Sequence, residues 1–176
     1  MSQRPIIQLG NPVLRQTAAP VEDITSPTVQ QLIDDLLLTC RESNGVGLAA
    51  PQVAQPSRLL IVASRPNPRY PDAPTMEPMT LINPRILSHS AETKKGWEGC
   101  LSVPGIRGLV PRYREVEVEY QDRTGAVQRV VWSGFVARIL QHEYDHLEGK
   151  VFLDRVESTA DLMTESEYQV RVLGGA

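Results

Sequence analysis

Gln141-His142-Glu143-Tyr144-Asp145-His146 places two histidines four residues apart, with a glutamate directly after the first. On an α-helix, positions i and i+4 stand one above the other on the same face, so both imidazoles reach one ion. Glu143 is turned by about 100° from His142 on that helix, too far to be a third ligand of the usual kind. It can still lean toward a water held by the ion, where a general base belongs. Two of the chain's three histidines fall inside this hexapeptide. Phe135 and Ile139 continue the stripe of His142 and His146 toward the helix start, so the core-facing side of the helix carries polar rings. Burying them without partners would cost on the order of a few kcal/mol each, and a metal ion resolves that conflict.

Bulk properties frame this motif without competing with it. A chain of 176 residues suffices for one well-cored domain and is short for two. Residues 1–176 therefore read as a single catalytic domain, with 169–176 a loose C-terminal tail. An apolar fraction of 41% and a charged fraction of 22% are ordinary for a soluble globular protein. The net charge of -3, with basic residues scattered, gives no electrostatic reason to expect direct nucleic-acid binding. The opening MSQRPIIQLGNPVLRQ has no apolar core of signal-peptide length, and no stretch approaches a membrane span. The expectation is a cytoplasmic protein without membrane contact. Cys40 and Cys100 make no disulfide framework and would stay reduced there.

Working outward, Ser26-Pro27 reads as an N-cap followed by proline at the first helical position. Val29, Leu32, Ile33, Leu36, Leu37 and Cys40 follow at helical spacing, so Cys40 is a small buried hydrophobe. Asn44-Gly45 ends that helix, and the segment before it is an extended arm. Residues 58–63 form a short β-type run. Residues 65–78 hold five prolines and read as a surface loop. Residues 79–87 return to strand, where Asn83-Pro84 argues for an edge or a bulge. His89 reads as a surface histidine. Residues 96–102 look like a glycine-punctuated turn. Val116, Val118 and Tyr120 alternate with Glu115, Glu117, Glu119 and Gln121, a half-buried strand that forms a hairpin with 127–132. Ser133 is positioned to cap the histidine helix, Gly149 to close it, and the polar 157–168 leaves room for a short helix. The fold class is α+β: short antiparallel β-sheets packed around a central helix carrying H-E-x-x-H.

A catalytic tetrahedral site needs three protein ligands and one open position. Beyond His142 and His146, the residues alone leave His89, a carboxylate or Cys100 as the third. Gly45-Val46-Gly47-Leu48-Ala49-Ala50-Pro51-Gln52 has the glycines of a phosphate loop but lacks its lysine and Ser/Thr; its apolar character suits a stretch lying along a peptide. That segment, Glu98-Gly99-Cys100-Leu101-Ser102 and the histidine hexapeptide together resemble the three motifs of peptide deformylases, in the family's order. The similarity extends over nearly the whole chain, including Ser102-Val103-Pro104-Gly105-Ile106-Arg107 and Val110-Pro111-Arg112. It is loosest in 65–78 and after Asp154.

The resemblance implies a divalent ion on Cys100, His142 and His146, expected to be Fe2+, with Ni2+, Co2+ or Zn2+ as substitutes; the ligand types alone would suggest zinc. It implies removal of the formyl group from the formyl-methionine of newly made polypeptides, with release of formate, as a step of protein biosynthesis close to the ribosome. Glu143 would take the water's proton and hand it to the departing amine. The Gln52 side-chain amide and the Leu101 backbone N–H would donate to the developing oxyanion. The substrate backbone would run beside Gly45, Val46 and Gly47 as an added strand, with Arg107 near it. Arg138 is left between pairing with Asp145 and facing solvent. The rivals are a metallopeptidase of the H-E-x-x-H type and a non-catalytic metal-binding module. The cysteine ligand argues against the first, and the presence of Glu143 and Gln52 against the second.

Overall fold

A computed structural model describes residues 1–174. Its framework is a five-stranded antiparallel sheet in the order β1-β2-β3-β6-β7, formed by Gly47–Ala49, Leu59–Val62, Met79–His89, Glu115–Gln121 and Val127–Ser133. A second, three-stranded antiparallel sheet has the order β4-β5-β8, formed by Thr93–Cys100, Val103–Tyr113 and Leu162–Thr164. Three α-helices complete the described chain: α1 (Pro27–Glu42), α2 (Gly134–Leu147) and α3 (Glu165–Arg171). The α+β architecture and the central histidine-bearing helix agree with the expectation.

Strand β2 shows how the layers stack. Its residues Leu59-Leu60-Ile61-Val62 are all buried, because the strand is covered on both faces. Leu59 and Ile61 pack with Leu32, Ile33, Leu36 and Cys40 of α1, whereas Leu60 and Val62 pack with Ala137, Ile139 and Leu140 of α2. Successive side chains of a strand point to opposite faces, so four consecutive apolar residues serve two cores. Each such side chain contributes about 1.5–3 kcal/mol of burial. A third apolar group, Cys100, Val103, Val110, Val151 and Phe152, ties the small sheet to the chain after α2.

Local signals explain most boundaries. Ser26 Oγ accepts the Val29 N–H, Pro27 opens α1, and Asn44 takes the left-handed φ of 51° just beyond its end. Gly149 likewise has a φ of 68° after α2, and a Cβ there would meet the Arg15 carbonyl at 2.7 Å.

Of the two readings of Asn83-Pro84 the bulge holds: strand β3 is central in its sheet, the register slips between Ile82 and Arg85, and Asn83 has a φ of 50°. The Asn83 side chain then bonds both the N–H and the carbonyl of Val21. Residues 96–102 are mostly strand, and only Leu101-Ser102 turns the chain from β4 into β5. The glycines there make room for arginines: a Cβ on Gly96 would stand 2.8 Å from Arg138, and one on Gly99 3.1 Å from Arg107. Ser133 occupies the N-cap of α2 but its side chain makes no capping bond, since it is also the last residue of β7. In the polar C-terminal segment, β8 comes first and the helix follows as α3, through Arg171 with Tyr168 buried. The tail expected from 169 thus begins after that helix, and 175–176 lie outside the described residues.

Candidate metal centre and cleft

Helix α2 holds His142 and His146 on the side facing the small sheet, with ring centroids 5.2 Å apart. The β4–β5 reversal brings Cys100 to them, its Sγ 3.3 Å from His146 Nε2. Donor atoms of Cys100, His142 and His146 lie within 4.8 Å of one another, all three residues buried. Donors about 2.0–2.3 Å from one tetrahedral ion sit roughly 3.3–3.7 Å apart, so the cysteine–histidine pair already stands at that spacing. One sulfur and two imidazole nitrogens suit iron, zinc, cobalt or nickel better than calcium or magnesium. Burial works to raise the Cys100 thiol, yet the two imidazoles beside it hold it well below the usual thiol range, the state a ligand requires. Cys40, by contrast, is pushed up to about 12 by burial and by Glu143, and remains an inert core thiol.

Glu98 is a residue for which sequence reasoning gave no role. Its Oε2 accepts from His142 Nδ1 at 2.9 Å and from Arg112 Nη2 at 3.0 Å. Its Oε1 accepts from Arg112 Nε at 2.9 Å and Arg138 Nη1 at 2.8 Å. Burial opposes its charge, but Arg112 and His142 hold the carboxyl well below the usual range. A carboxylate on Nδ1 fixes the ring so that Nε2 points away toward the ligand cluster. Its only sequence signal was its position two residues before Cys100. Arg138 therefore neither pairs with Asp145 nor faces solvent; it bonds Glu98 and the carbonyls of Val110 and Lys94. Asp145 instead binds Arg112 Nη1 at 2.6 Å and Arg155 Nη2 at 2.5 Å.

Glu143 stands next to the ligands, 4% exposed, and its Oε2 has no hydrogen-bond partner. Burial pushes its carboxyl up to about 7. Gly47 lets β1 lie directly on it: a Cβ at Gly47 would meet Glu143 Oε1 at 2.6 Å and Ile139 Cγ2 at 2.8 Å. Gln52 sits in the 3-10 turn Ala50–Val53. Its Oε1 accepts the Ala49 N–H at 2.9 Å, which aims Nε2 at Ser102 Oγ (3.2 Å) and Cys100 Sγ (3.5 Å). Leu101 lines the same space as Val46, Gly47, Gln52, His142 and Glu143.

Two sheet edges border this cleft. Among the described residues β1 pairs only with β2, and β4 only with β5, so Gly47 and Gly99 look across it from edge strands. Two of the expected substrate contacts lie elsewhere. Gly45 is packed behind the cleft on the end of α1, where a Cβ would touch Cys40 Sγ at 3.1 Å. Arg107 is fully buried, paired with Glu165 at 2.6 Å and covered by Tyr70 and Tyr168, with ring centroids 5.0 and 4.6 Å from its guanidinium carbon. Alternation along β5 could not reveal that cover, because both rings come from distant segments.

Comparison with known proteins points one way. Residues 3–161 match the family model described as polypeptide deformylase. The chain is 66% identical over 165 residues to peptide deformylase 2 of Nostoc sp., covering 94% of this chain and 92% of that one. It is 48% identical over 151 residues to peptide deformylase 2 of Shewanella oneidensis, covering 86% and 83%. The crystal structure of a class I type b peptide deformylase from Acinetobacter baumannii with Met-Ala-Ser bound superposes with a TM-score of 0.86 at 48% identity, covering 89% of this chain and all of that one.

Proposed function

Because this chain belongs to the polypeptide deformylase family, we propose that Cys100, His142 and His146 hold the ferrous ion with which it deformylates N-formylmethionyl chains. The observation that carries the reading is the buried, partnerless Glu143 Oε2 directly beside that ligand set. Nothing in core packing calls for an unpaired carboxylate there, while a carboxylate serving as general base must keep an oxygen free for the water's proton. When bound, a divalent cation supplies positive charge that acidifies water and polarises a carbonyl.

The chain's own residues do the rest. Glu143, set near 7 by burial, takes a proton from the attacking water and gives it to the departing methionyl amine, serving both half-reactions. Formate leaves and the Met-peptide is freed. Gln52 Nε2, held by the Ala49 N–H, donates to the formyl oxygen as charge builds there, together with the Leu101 backbone N–H. One such donor is typically worth about 100- to 1000-fold in rate. Glu98 keeps His142 in the tautomer that leaves Nε2 free. Val46 and Gly47 offer the peptide a strand edge, with Gly45 packed behind it and Arg107 behind Gly99 on the opposite edge. Residues 1–176 act as one catalytic domain, working in the cytoplasm near ribosomes, where formylated nascent chains arise.

Selectivity rests on the space around the acyl carbon. A formyl group carries only hydrogen there, and overpacking a rigid site by one methyl costs about 1–3 kcal/mol. Formyl-Met-Ala should be cleaved to formate and Met-Ala, and acetyl-Met-Ala at least about tenfold more slowly. Following formate and new amino ends together tests this. Cleavage at an internal peptide bond with the formyl group left in place would overturn the reading in favour of a peptidase.

A further inference from the structure

We propose that Tyr70 is a gate that closes the cleft by occupying the β4 edge at Gly99, which faces the Gly47 edge across it. The inference rests on the deformylase reading of the cleft but concerns a residue that reading does not use. Gly99 donates its N–H to Tyr70 Oη at 3.1 Å, and its carbonyl lies 3.4 Å from the same oxygen. Both backbone groups face away from β5, so they are the hydrogen-bonding positions that β4 offers to an incoming strand. The Tyr70 ring is wedged against Phe135 at a centroid distance of 5.2 Å, and covers Arg107. Arg107 Nη1 is buried there without a partner.

Tyr70 also lines the cleft beside Gly47, Leu101, His142 and Glu143, so a peptide that pairs with β4 must first displace it. The loop is built for such a step. Its neck is pinned where Ser64 Oγ donates to the Pro74 carbonyl and Met76 N–H to the Ser64 carbonyl. Its tip is a self-contained turn in which Asn67 Oδ1 accepts the N–H groups of Arg69 and Tyr70. Swinging the tip as a unit gives up the Gly99 bonds, the ring contacts and the Arg107 Nη2 bond to the Arg69 carbonyl at 3.4 Å. Only the open fraction binds substrate, so the apparent dissociation constant is the intrinsic one divided by that fraction.

Tyr70→Phe keeps the ring but removes the hydroxyl that caps Gly99. With metal-replete enzyme and formyl-Met-Ala-Ser, KM should fall about three- to tenfold, the net worth of a neutral hydrogen bond, while kcat stays within twofold of wild type (a factor of about 2 being ordinary scatter). In the same variant without peptide, the Gly99 amide should exchange with solvent at least about threefold faster. A KM that stays put or rises, or a Gly99 amide that exchanges at the wild-type rate, overturns the gate. Failure of the wild-type enzyme to release formate would count against the deformylase reading alone, because Gly99 exchange still decides whether Tyr70 closes that edge.

Discussion

Replacing Glu98 by glutamine separates what holds this site together from what holds the fold together. The carboxylate is 2% exposed and accepts four hydrogen bonds, from Arg112 Nε and Nη2, Arg138 Nη1 and His142 Nδ1. Glutamine has the same volume but only one acceptor oxygen. Whichever way its amide is turned, its NH2 group faces two donors: Arg112 and Arg138, or Arg112 and His142. Removing one partner of a buried ion pair costs about 3–5 kcal/mol. The lower end applies, because Asp145 still neutralises Arg112 at 2.6 Å. Urea unfolding of the metal-free Glu98→Gln protein at pH 7 should thus show a loss of about 3 kcal/mol. Loss of the acceptor on His142 should also weaken metal binding about 10- to 100-fold, read by competition with a chelating dye. Asp145→Asn is the control: Asp145 is 3% exposed and binds Arg112 and Arg155 but no ligand side chain. It should lose comparable stability and keep its metal affinity within about threefold. If Asp145→Asn weakens metal binding as much as Glu98→Gln does, general softening and not the orientation of His142 is responsible.

Further outcomes follow from the same geometry. Cys100→Ala should abolish most metal binding while Cys40→Ala leaves it intact, measured by metal content after gel filtration; full occupancy in the Cys100 variant would refute its role as a ligand. Glu143→Gln should retain metal and lose about 100- to 10,000-fold in turnover. The metal-free pair adds a pH test. Folding raises the Glu143 carboxyl from its ordinary 4.5 to about 7. Below pH 4.5 it is protonated in both states; between 4.5 and about 7 only the unfolded chain releases the proton, so wild-type stability falls with rising pH. At about 1.36 kcal/mol per pH unit the deficit reaches roughly 3 kcal/mol above pH 7. Glu143→Gln should be the more stable protein there by up to that amount, the difference vanishing below pH 4.5; equal urea midpoints at pH 8 would contradict this. Gly47→Ala puts a methyl 2.6 Å from Glu143 Oε1, and should cost about 1–3 kcal/mol of stability and at least about 100-fold in kcat through misplacement of the base; wild-type kinetics would show that β1 does not position Glu143.

Much of the molecule was legible from local pattern. Helix α1 could be read because its apolar residues recur at the helical period and Ser26-Pro27 and Asn44 mark its ends. The β6–β7 hairpin could be read because Val116, Val118 and Tyr120 alternate with charges. Cys100, His142 and His146 came out as a set because two share a helix face and the third lies in a motif of the resembling family. Where reading failed, a distant segment had overruled the local signal. The 96–102 stretch is strand because its glycines make way for arginines from α2 and β5.

The sequence alone therefore determined helix α1, the β6–β7 hairpin, the donor types and their spacing on α2, since a residue's period and capping chemistry act over a few neighbours. Tertiary structure decided which side chains meet across long separations. Glu98 reaches His142 over 44 positions, Cys100 reaches His146 over 46, and Tyr70 reaches Gly99 over 29. Those encounters depend on how two sheets close on one helix, and Arg107, expected beside the substrate, lies beneath Tyr70 and Tyr168 for the same reason. Side-chain chemistry can be read from a string of residues; the partner it finds depends on the packing that excludes every other choice.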